Sequence, residues 1–133
     1  MKVLTFGVFD YLHYGHLTLF KEAKSYGDYL IVALHEDSEI HKTKPQAHVL
    51  YDLKTRMEFV SELKCVDEVI SYKSVDTDIT KIDFDVFVVG EDQNHDGFKR
   101  AIEWANVHGK KVVNVKKTYV DISSSNIKKE LGI

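Results

Sequence analysis

A chain of 133 residues with one proline and seven glycines is one compact domain's worth, and 29% charged beside 44% apolar residues describes a globular protein, not a disordered or fibrous one. A net charge of −3 leaves no basic face for sequence-independent nucleic-acid binding, and the single cysteine, Cys65, excludes an intramolecular disulfide and a four-cysteine zinc site. No segment approaches the roughly 18 apolar residues that cross a bilayer, and the first residues lack the apolar run and cleavage site of a signal peptide, so the expectation is a cytoplasmic protein with no membrane and no nucleic-acid partner.

In chain order, Val3 to Phe6 reads as a buried strand, and His16 to Tyr26 as a helix with Leu17, Phe20 and Ala23 at helical spacing, stopped by Gly27. Tyr29 to Leu34 is a continuous apolar strand. The polar stretch His35 to Leu50 holds Pro45 and shows neither period, which predicts a mobile surface loop or lid. Asp52 to Leu63 is helical, with Leu53, Met57, Val60 and Leu63 on one stripe, and Val66 to Tyr72 is a third strand.

Val75 to Ile82 carries only a weak helical pattern. Asp85 to Val89 is a fourth strand ending at Gly90, Phe98 to Val107 a helix closed by Gly109, and Lys111 to Val115 a fifth strand. A last helix is expected from about Ser124 to Leu131, capped by Ser123 or Ser124. Strands alternating with helices imply right-handed crossovers and an α/β fold: a Rossmann-like, doubly wound five-stranded parallel sheet in a single domain, residues 1–133.

The loop between the first strand and the first helix is the densest in chemistry. Gly7-Val8-Phe9-Asp10-Tyr11-Leu12-His13-Tyr14-Gly15-His16 leaves the strand where a parallel sheet places its ligands, and the helix start aims N–H groups at an anion. Gly7 permits close backbone approach, and Gly15 lets the helix begin beside a ligand. His13 and His16, about one helical turn apart, are placed to donate to one phosphoryl group. The glycines do not follow the GxGxxG spacing of dinucleotide-binding folds. His35, Glu36, His41 and His48 do not follow HExxH spacing either, so no metal site of the protein's own is expected.

His13-Tyr14-Gly15-His16 after a strand, Val88-Val89-Gly90-Glu91-Asp92 after the fourth strand, and Ile122-Ser123-Ser124-Ser125 before the last helix resemble the cytidylyltransferase-like nucleotidyltransferases, whose hallmark is HxGH. The likeness runs along essentially the whole chain. Its size, Asp67-Glu68-Val69, and the lysine-bearing loop after the second strand look most like the glycerol-3-phosphate cytidylyltransferases. Three places depart from that pattern: Lys64-Cys65-Val66-Asp67 replaces Arg-Tyr-Val-Asp, Lys117-Thr118 replaces Arg-Thr with one extra residue before Ile122, and Gln93 stands where tryptophan is usual.

The resemblance implies transfer of CMP from CTP to a phosphorylated acceptor such as glycerol-3-phosphate, with Mg²⁺ accompanying the triphosphate, in a homodimer that meets near Lys64 to Glu68. It would serve teichoic acid or capsule synthesis. His13, His16 and Lys44 are the expected catalytic residues. Gly7, Val8, Phe9, Gly15, Gly90, Asp92, Lys117, Ile122, Ser123, Ser124 and Ser125 are expected to bind the nucleotide. Asp10, Lys42, Arg56 and Gln93 are expected at the substrate, with Asp10 equally suited to orienting a loop N–H. The alternatives are another acceptor (phosphocholine, phosphoethanolamine, or a polyol or sugar phosphate), ATP as donor, or a nucleotide-binding regulatory module without catalysis.

Overall fold

The computed structural model describes residues 1–43 and 50–116, with side chains through residue 40 and from residue 50 onward. Five strands, β1 (Lys2–Gly7), β2 (Tyr29–His35), β3 (Glu68–Tyr72), β4 (Val86–Gly90) and β5 (Lys111–Val115), form one all-parallel sheet in the order β3-β2-β1-β4-β5. The winding reverses between β1 and β4. That is the Rossmann-like arrangement, and it opens a crevice beyond the carboxyl ends of those two strands.

The central strands are apolar on both faces because helices cover both. Val3, Leu30, Val32, Val60, Val86 and Val88 are buried on the side of α1 (Tyr14–Lys24) and α3 (Leu53–Ser61). Leu4, Phe6, Ile31, Phe87, Phe98 and Ala101 are buried on the side of α4 (Val75–Asp78) and α5 (Asp96–Val107). Alternate residues of one strand therefore serve opposite cores, which is why these strands read as unbroken apolar runs. Trp104 packs at the margin of the second core.

Two expectations change. Residues 35–50 are not loop throughout, since Asp37–Thr43 forms a short helix, α2, whose Ile40 is 1% exposed. A helix of seven residues is too short to show a period in the sequence. The weak pattern at 75–82 resolves into α4 followed by a 3-10 turn at Ile79–Lys81, held by buried Val75 and Ile79 four positions apart. The helix expected near Ser124 lies outside the described residues.

Candidate active site

α1 begins with two histidines that cap it reciprocally. His13 has extended backbone, and its Nδ1 accepts the Gly15 N–H at 3.0 Å. One turn later, His16 Nδ1 accepts the His13 N–H at 3.3 Å. This is the geometry of a capping box with imidazoles in place of hydroxyl and carboxylate.

The consequence is chemical. With Nδ1 spent as an acceptor, the proton of each neutral ring sits on Nε2, so both side chains are N–H donors of fixed tautomer. The rings stack 3.9 Å apart at 24°. Burial, and then the neighbouring His13, push the His16 pKa down to about 3 against a smaller opposing pull from Asp92. His16 is a neutral donor at physiological pH.

The loop before them is tightly wound. Phe9 and Tyr11 hold positive φ values of 54° and 50°, conformations that cost a non-glycine residue about 1–3 kcal/mol each and persist only where packing enforces them. Phe9 folds back over Gly7, where a Cβ would lie 2.5 Å from its ring, and it meets Phe20 at 4.8 Å and the His16 ring edge-on at 5.5 Å. The glycine is thus required by the Phe9 ring. What Phe9 offers the crevice is a position for His16, since its own ring is buried.

Between the two strained residues, Asp10 is 3% exposed and accepts the backbone N–H groups of Leu50, at 2.5 Å, and Tyr51, at 3.1 Å. Of its two expected roles, the structure displays the orienting one.

Arg56, expected at the substrate, is buried. It is 1% exposed, and its guanidinium donates to the carbonyls of Tyr51, Val8 and His35 at 3.1, 2.9 and 2.9 Å and to Asp37 Oδ1 at 2.5 Å. A guanidinium occupied in this way is a clamp that gathers the ends of β1 and β2, the start of α2 and the approach to α3.

Gln93, expected at the substrate, has its Oε1 accepting the Gly90 N–H at 3.0 Å and its Nε2 donating to the Phe6 carbonyl at 2.6 Å, so the side chain bonds backbone across the crevice. Asp92, on the same turn, lies close enough to His16 to influence its titration, and its Oδ1 would stand 3.3 Å from a Cβ on Gly90.

The structure therefore brings together Gly7, Val8, Phe9, Asp10, His13, Gly15 and His16 on one side of the switch point and Gly90, Asp92 and Gln93 on the other. The Lys42 side chain, Lys44, Lys117, Ile122, Ser123, Ser124 and Ser125 lie outside the described residues. A groove of about 670 Å³ lies elsewhere, between α3 and β3, lined by Leu53, Met57, Val66 and Val69 among others; none of the expected site residues lines it.

Two partners escaped the sequence reading. Asp37, which ties Arg56 to α2, has no local signature. His95 caps α5 by accepting the Gly97 N–H on Nδ1 at 3.1 Å, repeating the His-x-Gly start of α1, and that repeat is visible in the sequence. Among the described residues no group of three histidines, cysteines or carboxylates is placed to hold a metal, and no helix is long and apolar enough to cross a membrane.

Known proteins resemble this chain in sequence and fold. Residues 4–130 match the family model described as cytidylyltransferase-like. The chain is 38% identical over 135 aligned positions to glycerol-3-phosphate cytidylyltransferase of Staphylococcus aureus (strain NCTC 8325 / PS 47), covering 98% of this chain and 94% of that one. It is 31% identical to FAD synthase of Thermoplasma acidophilum, covering 96% and 90% of the two chains. Among solved structures, a lipopolysaccharide core biosynthesis protein from Thermoplasma volcanium GSS1 superposes with a TM-score of 0.73 at 30% identity, covering 91% of this chain and 98% of that one.

Proposed function

The chain belongs to the cytidylyltransferase-like family and is a nucleotidyltransferase, and from that premise we propose that it transfers CMP from CTP to glycerol-3-phosphate, giving CDP-glycerol and pyrophosphate. The observation that carries the chemistry is the pair of Nε2–H donors fixed by the cap of α1. The choice of CTP and glycerol-3-phosphate is supported by the likeness to glycerol-3-phosphate cytidylyltransferases over almost the whole chain.

In the proposed reaction an oxygen of the acceptor phosphate bonds to the α-phosphorus of CTP. The bond from that phosphorus to the bridging oxygen breaks, and its electron pair leaves with pyrophosphate. A phosphate monoester has a second pKa of about 6, so near neutral pH the attacking oxygen is already ionised and needs no general base. Catalysis is then a matter of alignment and of charge stabilisation by fixed donors. His16 and His13 donate from Nε2 to phosphate oxygens as negative charge moves toward the leaving group. Because His16 is neutral and both rings are held by their own helix, the two donors do not reorganise.

Mg²⁺ enters the proposal with the triphosphate, whose oxygens and water suit its octahedral demand. The Asp10 carboxylate is already engaged by two N–H groups, so the ion would be held by phosphate oxygens and water. Lys44 and Lys42 are proposed to close on phosphate, and Lys117 with Ser123, Ser124 and Ser125 to supply further donors. A homodimer is also proposed, with the open edge of β3 and its groove as a surface that a second copy would cover.

The test is a product panel read by ³¹P NMR: CTP or ATP, with Mg²⁺, against glycerol-3-phosphate, phosphocholine, phosphoethanolamine and several polyol and sugar phosphates. CDP-glycerol and pyrophosphate are expected. Preference for another acceptor overturns the narrow assignment alone, activity with ATP only moves the donor, and nucleotide binding without turnover supports the regulatory module.

A further inference from the structure

β1 and β4 are paired as a ladder only at Val3 with Val86 and Leu4 with Phe87. Beyond Leu4 and Phe87 the two strands continue to Gly7 and Gly90 without pairing to each other, and this parting is what opens the switch-point crevice. Parted strands leave backbone donors and acceptors facing a gap, and buried groups of that kind must find partners.

Gln93 supplies them. Its Nε2 donates to the Phe6 carbonyl on β1 at 2.6 Å, and its Oε1 accepts the Gly90 N–H on β4 at 3.0 Å. Its own N–H donates to the Gly90 carbonyl at 3.0 Å, closing the turn that carries Glu91 and Asp92. The amide cannot be reversed, because Nε2 would then face the Gly90 N–H donor to donor. We propose that Gln93 is a positioning residue: a side-chain splint across the parted ends of β1 and β4 that sets the crevice width and holds the Gly90–Asp92 turn in register with the His13 and His16 donors.

The splint starts one residue after Asp92, whose charge is felt at His16, and ends one residue before Gly7, on which the Phe9 ring rests. A change in splint length therefore moves the two halves of the site relative to each other. Gln93 does not touch the reacting atoms in this account, so its loss acts on alignment more than on affinity for either substrate.

This inference rests on the nucleotidyl-transfer reading for its kinetic consequences, while its structural part is measured without substrate. Gln93→Met keeps length and volume and removes both hydrogen bonds. It is expected to lower kcat by about 10- to 100-fold with little change in either KM, the signature of misalignment, and to speed hydrogen exchange at the Gly90 amide of the free protein. Gln93→Glu adds a readout that general destabilisation does not mimic. The protonated acid restores a donor to Phe6 and an acceptor for Gly90, whereas the carboxylate faces a carbonyl, so the ratio of mutant to wild-type kcat rises as pH falls through the carboxyl pKa. A rise in acceptor KM alone would place Gln93 at the substrate and overturn the splint, as would unchanged Gly90 exchange. If Gln93→Met does not fold, the pH series on Gln93→Glu decides, and a flat ratio overturns the proposal. Absence of turnover by the wild type with every donor and acceptor fails the functional reading instead, and Gly90 exchange still tests the splint.

Discussion

The imidazoles of His13 and His16 lie face to face at 3.9 Å, each with its Nδ1 occupied by a backbone N–H from the same helix turn. One short motif thus starts a helix, fixes two tautomers and aligns two donors.

Removing one of those donors tests its share of the chemistry. His16→Ala is expected to lower kcat by about 10²- to 10³-fold, the range for loss of a single transition-state donor, while CTP affinity changes much less. Steady-state kinetics and calorimetric titration on the folded variant check both constants, and near-wild-type turnover would remove His16 from the mechanism.

The depressed pKa of His16 makes a pH prediction with a definite sign. The unfolded ring takes up a proton near pH 6.5, whereas the folded one resists until about pH 3. Between those values the unfolded state binds more protons, so this group's contribution to stability is present above about pH 6.5 and is lost as pH falls through the window. Denaturant midpoints from pH 7 to 4, with His16→Asn as reference, read the slope, and the NMR titration of the ring reads the pKa directly.

Gly7 and Phe9 are predicted to be energetically coupled. Gly7→Ala puts a methyl group 2.5 Å from the Phe9 ring, and overpacking of this kind costs about 1–3 kcal/mol. Because the clash requires the ring, the double variant Gly7→Ala, Phe9→Ala should be less destabilised than the sum of the singles. Urea unfolding of all four proteins in the cycle gives the coupling, and strict additivity would separate the two residues.

Arg56 distinguishes a clamp from a ligand. Arg56→Met leaves three carbonyls and Asp37 without their donor and is expected to destabilise the protein by about 1–3 kcal/mol, with Arg56→Lys a poor rescue because one ammonium does not reproduce a planar fork. A phosphate ligand would instead raise KM at unchanged stability. Thermal unfolding beside kinetics separates the two.

Thr5 offers the opposite direction. Its Oγ1 is buried in β1 with no hydrogen-bond partner among the described residues, and the side chain is fully enclosed. Thr5→Val exchanges that hydroxyl for a methyl of similar shape and should raise stability by about 1 kcal/mol. A fall in the urea midpoint would show that the hydroxyl has a partner after all.

The sequence by itself determined the sheet and the histidine-capped start of the first helix, where the chemistry is proposed. Apolar runs of strand length, helical stripes such as Phe20 with Ala23, and a His-x-Gly-His start after the first strand are local patterns, and each is a direct consequence of backbone period or of helix-end valence. Only the tertiary structure decided which groups the single polar residues bond. Arg56 sits on a helix and reads as a surface cation until carbonyls from Val8, His35 and Tyr51 are seen to converge on it. Gln93 finds its backbone partners because β1 and β4 part beside it, with Phe6, 87 positions earlier, supplying its acceptor. Hydrogen-bond partners so distant along the chain leave no periodic trace, because a polar side chain's role is set by which unsatisfied groups the fold brings within reach.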